Sequence, residues 1–293
     1  MSLIVSGAYT GEPSSNLVFM KYPIAWLLSG LYGITPNVPW YGLCSILCIL
    51  IPSSVICFFL LLNANRAGNT KCGLLLYLLF YLFIVQKHLV LPQFTLTAAF
   101  MAIAWLVLLR YMPKSKKSPL YLLCTSLFAV ISFSIRMKVF MMIFPVALLA
   151  IAVKLINDSF SDRKYIFKYA VSMILTIILC FSVQIIDNKT VDKDYKAFNT
   201  ARSLVYDFGA IPPYNENKAF YDNAGIDETT FYDISARYLD LDSEITTDKM
   251  KAVAGISKSR RQSAPFGKRI FRAALSAPSY FIESGVLYQT AFC

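Results

Sequence analysis

The sequence predicts an all-α membrane protein: six transmembrane helices plus one membrane-surface helix, followed by a small helical extracytoplasmic module. Three observations predict it. Of the 293 residues, 57% are hydrophobic and only 15% charged, with a mean hydropathy of +0.55, whereas soluble domains carry about 25% charged residues. Apolar runs recur at close to the length of about 20 residues that a membrane crossing needs. Charge is partitioned along the chain. Residues 1–187 hold 14 Lys/Arg against 4 acids (net +10), residues 188–250 hold 7 against 12 (net −5), and residues 251–293 hold 7 against 1 (net +6). These features exclude a disordered chain, a disulfide-rich secreted module and an ordinary cytosolic enzyme. A net charge of +11 would suggest nucleic acid as the partner of a soluble protein. Here most of the excess lies between apolar runs, where it orients them, so no nucleic-acid partner is expected.

Residues 1–40 read as an outer loop and a membrane-surface element. Within them Leu17–Ile34 is apolar but carries Lys21 and Pro23, both costly at mid-membrane. Six further runs fill residues 41–187: Tyr41–Leu62, Cys72–Val90, Phe94–Arg110, Pro119–Ile135, Val139–Leu155 and Tyr165–Ile186. The connectors at 63–71, 110–117 and 154–168 are basic, which places them in the cytoplasm. The opposite, outer side then receives 35–40, the turn after Val90, the Arg136–Lys138 turn and everything after Asp187. By that parity Leu17–Ile34 either spans or lies on the outer surface. The residues alone leave both options open.

Residues 188–293 form an acidic helical region with a basic C-terminal segment. Asp192–Phe208 has helical spacing, with Tyr195, Phe198, Leu204 and Val205 in register and Gly209 as a stop. Ile211–Asn215 is a loop. Asp227 can cap a helix to about Tyr238, and Thr246 or Thr247 another to about Gly255. The Lys251–Arg272 segment can meet anionic lipid or a lipid-linked pyrophosphate.

Several runs together resemble a known family: Ser6–Pro13 (SGAYTGEP), Leu17-Val-Phe, Leu31-Tyr-Gly-Ile, Trp40-Tyr41, Phe198–Ser203, Tyr206-Asp-Phe and Pro213-Tyr214. They resemble bacterial multi-spanning glycosyltransferases of the GT-C superfamily, in the cell-surface polysaccharide branch. The resemblance implies transfer of a sugar from a polyprenyl-phosphate donor to a polysaccharide acceptor at the outer face of the cell membrane. It selects the surface position for Leu17–Ile34. It also implies that the chain begins inside the first outer loop, with the first span and an acidic motif missing, and that both ends are truncated. Only Glu12 is acidic before Asp158, so nothing here matches that motif, and the catalytic carboxylate stays unassigned. The alternative is a non-catalytic polysaccharide transporter, flippase or polymerase component.

Transfer from a lipid phosphate needs a carboxylate base or metal ligand and cations for the leaving phosphate. Arg136, Lys138 and Lys87 are the candidate phosphate-binding residues, because they sit on the side where basic residues are disfavoured. His88 (the only histidine), Gln93, Arg202 and Asp207 are further polar outer-face candidates. Asp187, Asp192 and Asp194 cluster beyond the last span; a divalent cation is the candidate cofactor, against a plain solvated helix start. Cys44 and Cys48 lie one turn apart as small apolar residues of a span, and neither a disulfide framework nor a zinc pattern is indicated. Walker A, G-x-G-x-x-G, G-x-S-x-G and H-E-x-x-H motifs are absent.

Overall fold

A computed structural model describes residues 1–8, 11–112, 118–157, 163–206, 211–236 and 245–262. Every regular element among them is helical. The chain divides into two compact units, Met1–Val191 and Asp192–Cys293, and each is described by itself.

The first unit comprises α1 (Ser2–Val5), α2 (Tyr22–Ile34), α3 (Trp40–Arg66), α4 (Thr70–Phe80), α5 (Gln86–Val90), α6 (Phe94–Arg110), α7 (Ser118–Asn157) and α8 (Arg163–Thr190). A π turn, Tyr81–Val85, joins α4 to α5. Four stretches are long and apolar enough to cross a membrane: Trp40–Arg66, Thr70–Val90, Pro119–Ile156 and Ile166–Thr190. Phe94–Arg110 is a shorter apolar helix. The runs expected at 119–135 and 139–155 form one helical element, α7, whose connector is reduced to a single non-helical residue, Arg136 (φ −155°, ψ 95°).

Side-chain contacts show that α7 doubles back at that residue. Near its start, Tyr121 donates to the Leu108 carbonyl (2.7 Å). Near its end, Lys154 donates to the Arg110 carbonyl. Both acceptors belong to the last turn of α6, so the two halves of α7 run antiparallel beside it. At the other end of α6, the Ser132 hydroxyl donates to the Ala98 carbonyl (2.8 Å). α8 follows the same axis: Tyr169 donates to the Leu109 carbonyl (3.0 Å) and Thr176 to Ser126 (3.2 Å).

Lipid is as apolar as leucine, so helices in a bilayer gain little from burying large aliphatics against one another; they gain from close approach and interhelical hydrogen bonds. Small and hydroxyl-bearing residues contribute to the packing alongside large ones such as Leu109, Phe133 and Tyr169. Ala98, Ala102, Ala104, Thr125, Ser126, Ala129, Ser132, Ser172 and Thr176 are buried between helices. Leu75, Leu79, Phe83, Met142, Ile178 and Phe181 face outward. Trp105, the largest fully buried side chain among the described residues, packs against Phe140 and Phe144.

Leu17–Ile34 is not one helix. Lys21 stands at the N-cap of α2 and Pro23 in its first turn, where a missing N–H costs nothing. The helix that remains has 13 residues. It rises about 20 Å, short of a hydrocarbon core of about 30 Å.

The second unit contains α9 (Lys193–Tyr206), a 3₁₀ turn (Asn215–Asn217), α10 (Lys218–Asn223), α11 (Glu228–Ala236) and α12 (Thr247–Gln262). Ala201, Val205, Tyr221, Ile226, Ile234, Met250 and Val253 form its core. Tyr221 anchors the Ile211–Asn215 loop by donating to the Pro212 carbonyl (2.7 Å). Asp227 caps α11 by accepting the Thr230 N–H (2.8 Å), and Thr246 caps α12 by accepting the Lys249 N–H (3.3 Å). Two details differ from the sequence reading. Leu204 is exposed, with Ala201 in its place in the core, and α12 runs past Gly255 because neighbouring helical residues outweigh one glycine. The Gly209 stop lies outside the described residues.

Ala129 has no accessible surface and sits in the α6–α7–α8 core. Ala129→Leu is expected to destabilise the first unit by about 1–3 kcal/mol through overpacking, read as a lowered unfolding temperature in detergent. Leu75→Ala on the outward face should leave it nearly unchanged.

Candidate functional site

A helix that stops leaves its last carbonyls without donors, and in an apolar surrounding each such group is costly. The break at Arg136 creates this situation. One freed carbonyl, that of Ser134, accepts the backbone N–H of Lys21 at 2.7 Å. The strap 17–21, which precedes α2, therefore lies across the reversal of α7.

Phe19 in this strap has φ +72°, the only positive φ outside glycine among the described residues. A bulky side chain there is strained. Packing supplies the compensation. The Phe19 ring stacks on Phe94 at 5.1 Å between centroids and 14° between planes. The Arg136 guanidinium lies against both rings, 4.4 Å from Phe19 and 4.8 Å from Phe94, a favourable contact of a cation with the ring faces.

The strap is also held by charge. The Lys21 ammonium donates to Asp187 Oδ2 at 2.9 Å, and the Tyr22 N–H donates to Asp187 Oδ1 at 2.9 Å. Lys21 has no acceptor with which to cap α2, so the carboxylate near the end of α8 does so from a distance, at the positive end of the helix dipole. Asp187 is the one buried carboxylate among the described residues.

Beside the reversal runs an apolar groove of about 340 Å³ between the second half of α7 and α8. Its walls include Phe133, Met137, Phe140, Phe144 and Phe181, and Gln184 lies at one end. The Gln184 amide donates to Asn188 (3.0 Å), while its buried Oε1 has no hydrogen-bond partner. Gln184 is three residues before Asp187 and Phe133 three before Arg136. The groove thus ends next to Arg136, whose neighbour Met137 lines it, and one helical turn from Asp187.

The structure divides the sequence-derived candidates. Arg136 is in the cluster. Gln93 is the residue before Phe94 and the N-cap of α6, with its side chain exposed. Lys138 and Lys87 are exposed at the same end. His88 is half-buried, its ring edge-on to Phe100 at 6.4 Å. Arg202 belongs to the second unit, where it is buried on α9 and donates from Nε to Asn199 Oδ1 at 3.0 Å. Asp207 lies outside the described residues, as do the connector at 113–117 and the basic tail beyond Gln262.

The residues missed by sequence reasoning are Phe19, Lys21 and Asp187 as a bonded set. The sequence groups Asp187 with Asp192 and Asp194 as a cation site or a solvated helix start, whereas in the structure it is buried against Lys21. Among the described residues no group of three or more His, Cys, Asp or Glu is placed to hold a metal ion. A signal was present in the sequence: one lysine and one aspartate of opposite charge each interrupt or end an apolar run. No family model, no curated protein and no solved structure matches the chain.

Asp187→Ala strands a half-buried ammonium. It is expected to cost on the order of 3 kcal/mol, whereas the double variant Lys21→Met/Asp187→Leu should recover most of that loss; thermal unfolding in detergent separates the two. In the second unit, burial pushes the Tyr195 phenol up to about 12, partly opposed by Arg202. A phenol whose folded value is raised gives stability that is complete below about pH 10 and is lost as pH rises through the folded value. Tyrosinate absorbance should therefore show one late-titrating residue that is absent in Tyr195→Phe, and that variant should lose less stability above pH 10.

Proposed function

We propose that the chain is a glycosyltransferase-like integral membrane protein of surface polysaccharide assembly. It handles a sugar carried on a polyprenyl phosphate at the outer face. In this reading the doubled-back α7 provides two of six spans, α2 lies on the outer surface, and residues 188–293 are extracytoplasmic. The supporting observation is the position of Arg136 at the reversal of α7, next to the end of an apolar groove. A lipid phosphate is a charged head on a long apolar tail. A guanidinium can clamp its phosphate through paired N–H donors, and the groove accepts the apolar part next to it. Lys138 and Lys87 add positive potential at the same end. In a transfer reaction such cations act on the negative charge of the departing phosphate. Asp187 is engaged by Lys21 and the Tyr22 N–H, so this reading gives it no role as base.

A second reading, a carrier or flippase for the same lipid, is favoured by one observation. α7 is broken at Arg136 and the α4–α5 helix contains a π turn at Tyr81–Val85. Interrupted helices of this kind mark binding sites in transporters.

Photocrosslinking of the reconstituted chain with a photoreactive polyprenyl-phosphate sugar tests both. Arg136→Gln is expected to lower labelling about tenfold or more, the worth of a lost charge-assisted contact. Lys138→Gln and Lys87→Gln should have smaller effects. Unchanged labelling in Arg136→Gln would sink the phosphate reading. Released or transferred sugar favours the transferase; transbilayer movement of intact lipid without product favours the carrier.

A further inference from the structure

We infer that the strap 17–21 is a latch over an anion seat, and that the Asp187 carboxylate is the seat's internal occupant, displaced when a lipid-linked phosphate binds. The inference rests on the phosphate reading above and specifies how that site opens.

The seat is built from donors already aimed at one anion. The Lys21 ammonium and the Tyr22 N–H, the latter at the N-terminus of the 13-residue α2, each reach a different oxygen of Asp187 at 2.9 Å. A phosphate presents more acceptor oxygens and more negative charge than a carboxylate, and favours the same donors. Phe19 of the same strap lies against Arg136. While Lys21 is bound to Asp187, part of the guanidinium is covered by that ring. The cation that suits a phosphate and the ion pair that closes the strap are therefore mechanically linked through residues 19–21.

Backbone strain makes the closed strap releasable. Phe19 is held in a left-handed conformation that its side chain disfavours, so release relieves strain that the stacking and the ion pair sustain. The strap meets the reversal through the Phe19 ring against Arg136 and through the hydrogen bond from Lys21 N–H to Ser134 O. A phosphate that takes Lys21 from Asp187 removes the ionic tie. Phe19 can then leave, and Arg136 is uncovered for the same phosphate. The groove end at Gln184, one turn from Asp187, places the apolar tail beside this exchange.

The test is hydrogen exchange over residues 17–21 of the full chain in lipid vesicles, with and without polyprenyl phosphate; the Tyr22 N–H, itself a donor of the seat, should stay protected in both. Ligands ordinarily protect the segments they touch. The latch requires the reverse: polyprenyl phosphate should speed exchange of the strap, on the order of tenfold. Asp187→Asn, which removes the competing charge but keeps an acceptor for Tyr22, should open the strap without ligand and tighten polyprenyl-phosphate binding by a similar factor. The charge swap Lys21→Asp/Asp187→Lys keeps an ion pair and puts the capping acceptor of α2 at position 21 itself, in place of Asp187. It should stay folded and protected while losing the response, so a folding defect in Asp187→Asn does not decide the matter. Inorganic phosphate that opens the strap supports the seat as headgroup-specific; opening by polyprenyl phosphate alone supports it with the tail in the groove. Unchanged or slower exchange with photocrosslinking still dependent on Arg136 overturns the latch and leaves the phosphate reading standing. Absence of crosslinking in every form overturns both.

Discussion

The first unit depends on one constraint: a helix that reverses inside an apolar bundle must find partners for the backbone groups it releases. Water satisfies such groups in a soluble protein, whereas hydrocarbon cannot. α7 breaks at a single residue, Arg136, so little loop is present to supply those partners. The strap before α2 supplies one by giving the Lys21 N–H to Ser134 O. Once that bond brings Lys21 to the reversal, its side chain lies where an ammonium needs an anion. Asp187 at the end of α8 is that anion. The N-terminal segment, α7 and α8 are thereby joined through one residue.

The ion pair is not a simple source of stability. Removing two charges from water costs several kcal/mol each, and a good geometry only roughly offsets it. The value of the pair is in specificity. Asp187 both neutralises Lys21 and caps α2, so a different docking of α2 would leave a charge and a helix terminus unsatisfied together. The strain at Phe19 fits the same account. A disfavoured backbone conformation persists when several contacts over-determine it, and here the stack on Phe94, the contact with Arg136 and the bonds of Lys21 do so.

Legibility in the sequence followed the range of the interactions. The caps at Asp227 and Thr246 were readable because a cap acts over three residues. Arg136 was readable as an anomaly, a cation on the side that charge statistics disfavour. Its surroundings were not readable, since Phe19 and Phe94 approach it from distant parts of the chain. Lys21 illustrates the limit most clearly. In sequence it reads as a flaw in an apolar run, while in the fold it is the N-cap of a short helix and one half of an ion pair spanning 166 residues. Leu204 shows the limit within one helix: spacing placed it in register, but the buried face of α9 is set by what packs there, and Ala201 took the position.

By itself, the sequence determined the helical class, the apolar character of the long helices and the caps at Asp227 and Thr246, because hydropathy, periodicity and capping are local properties that add along the chain. Tertiary structure alone decided that two apolar runs join into one element reversing at Arg136, that Asp187 faces Lys21, and that an apolar groove ends next to Arg136 and one turn from Asp187. These depend on which groups meet in space. An unpaired charge or carbonyl in an apolar surrounding accepts a partner from any distance along the chain, and only the packed helices determine which one arrives.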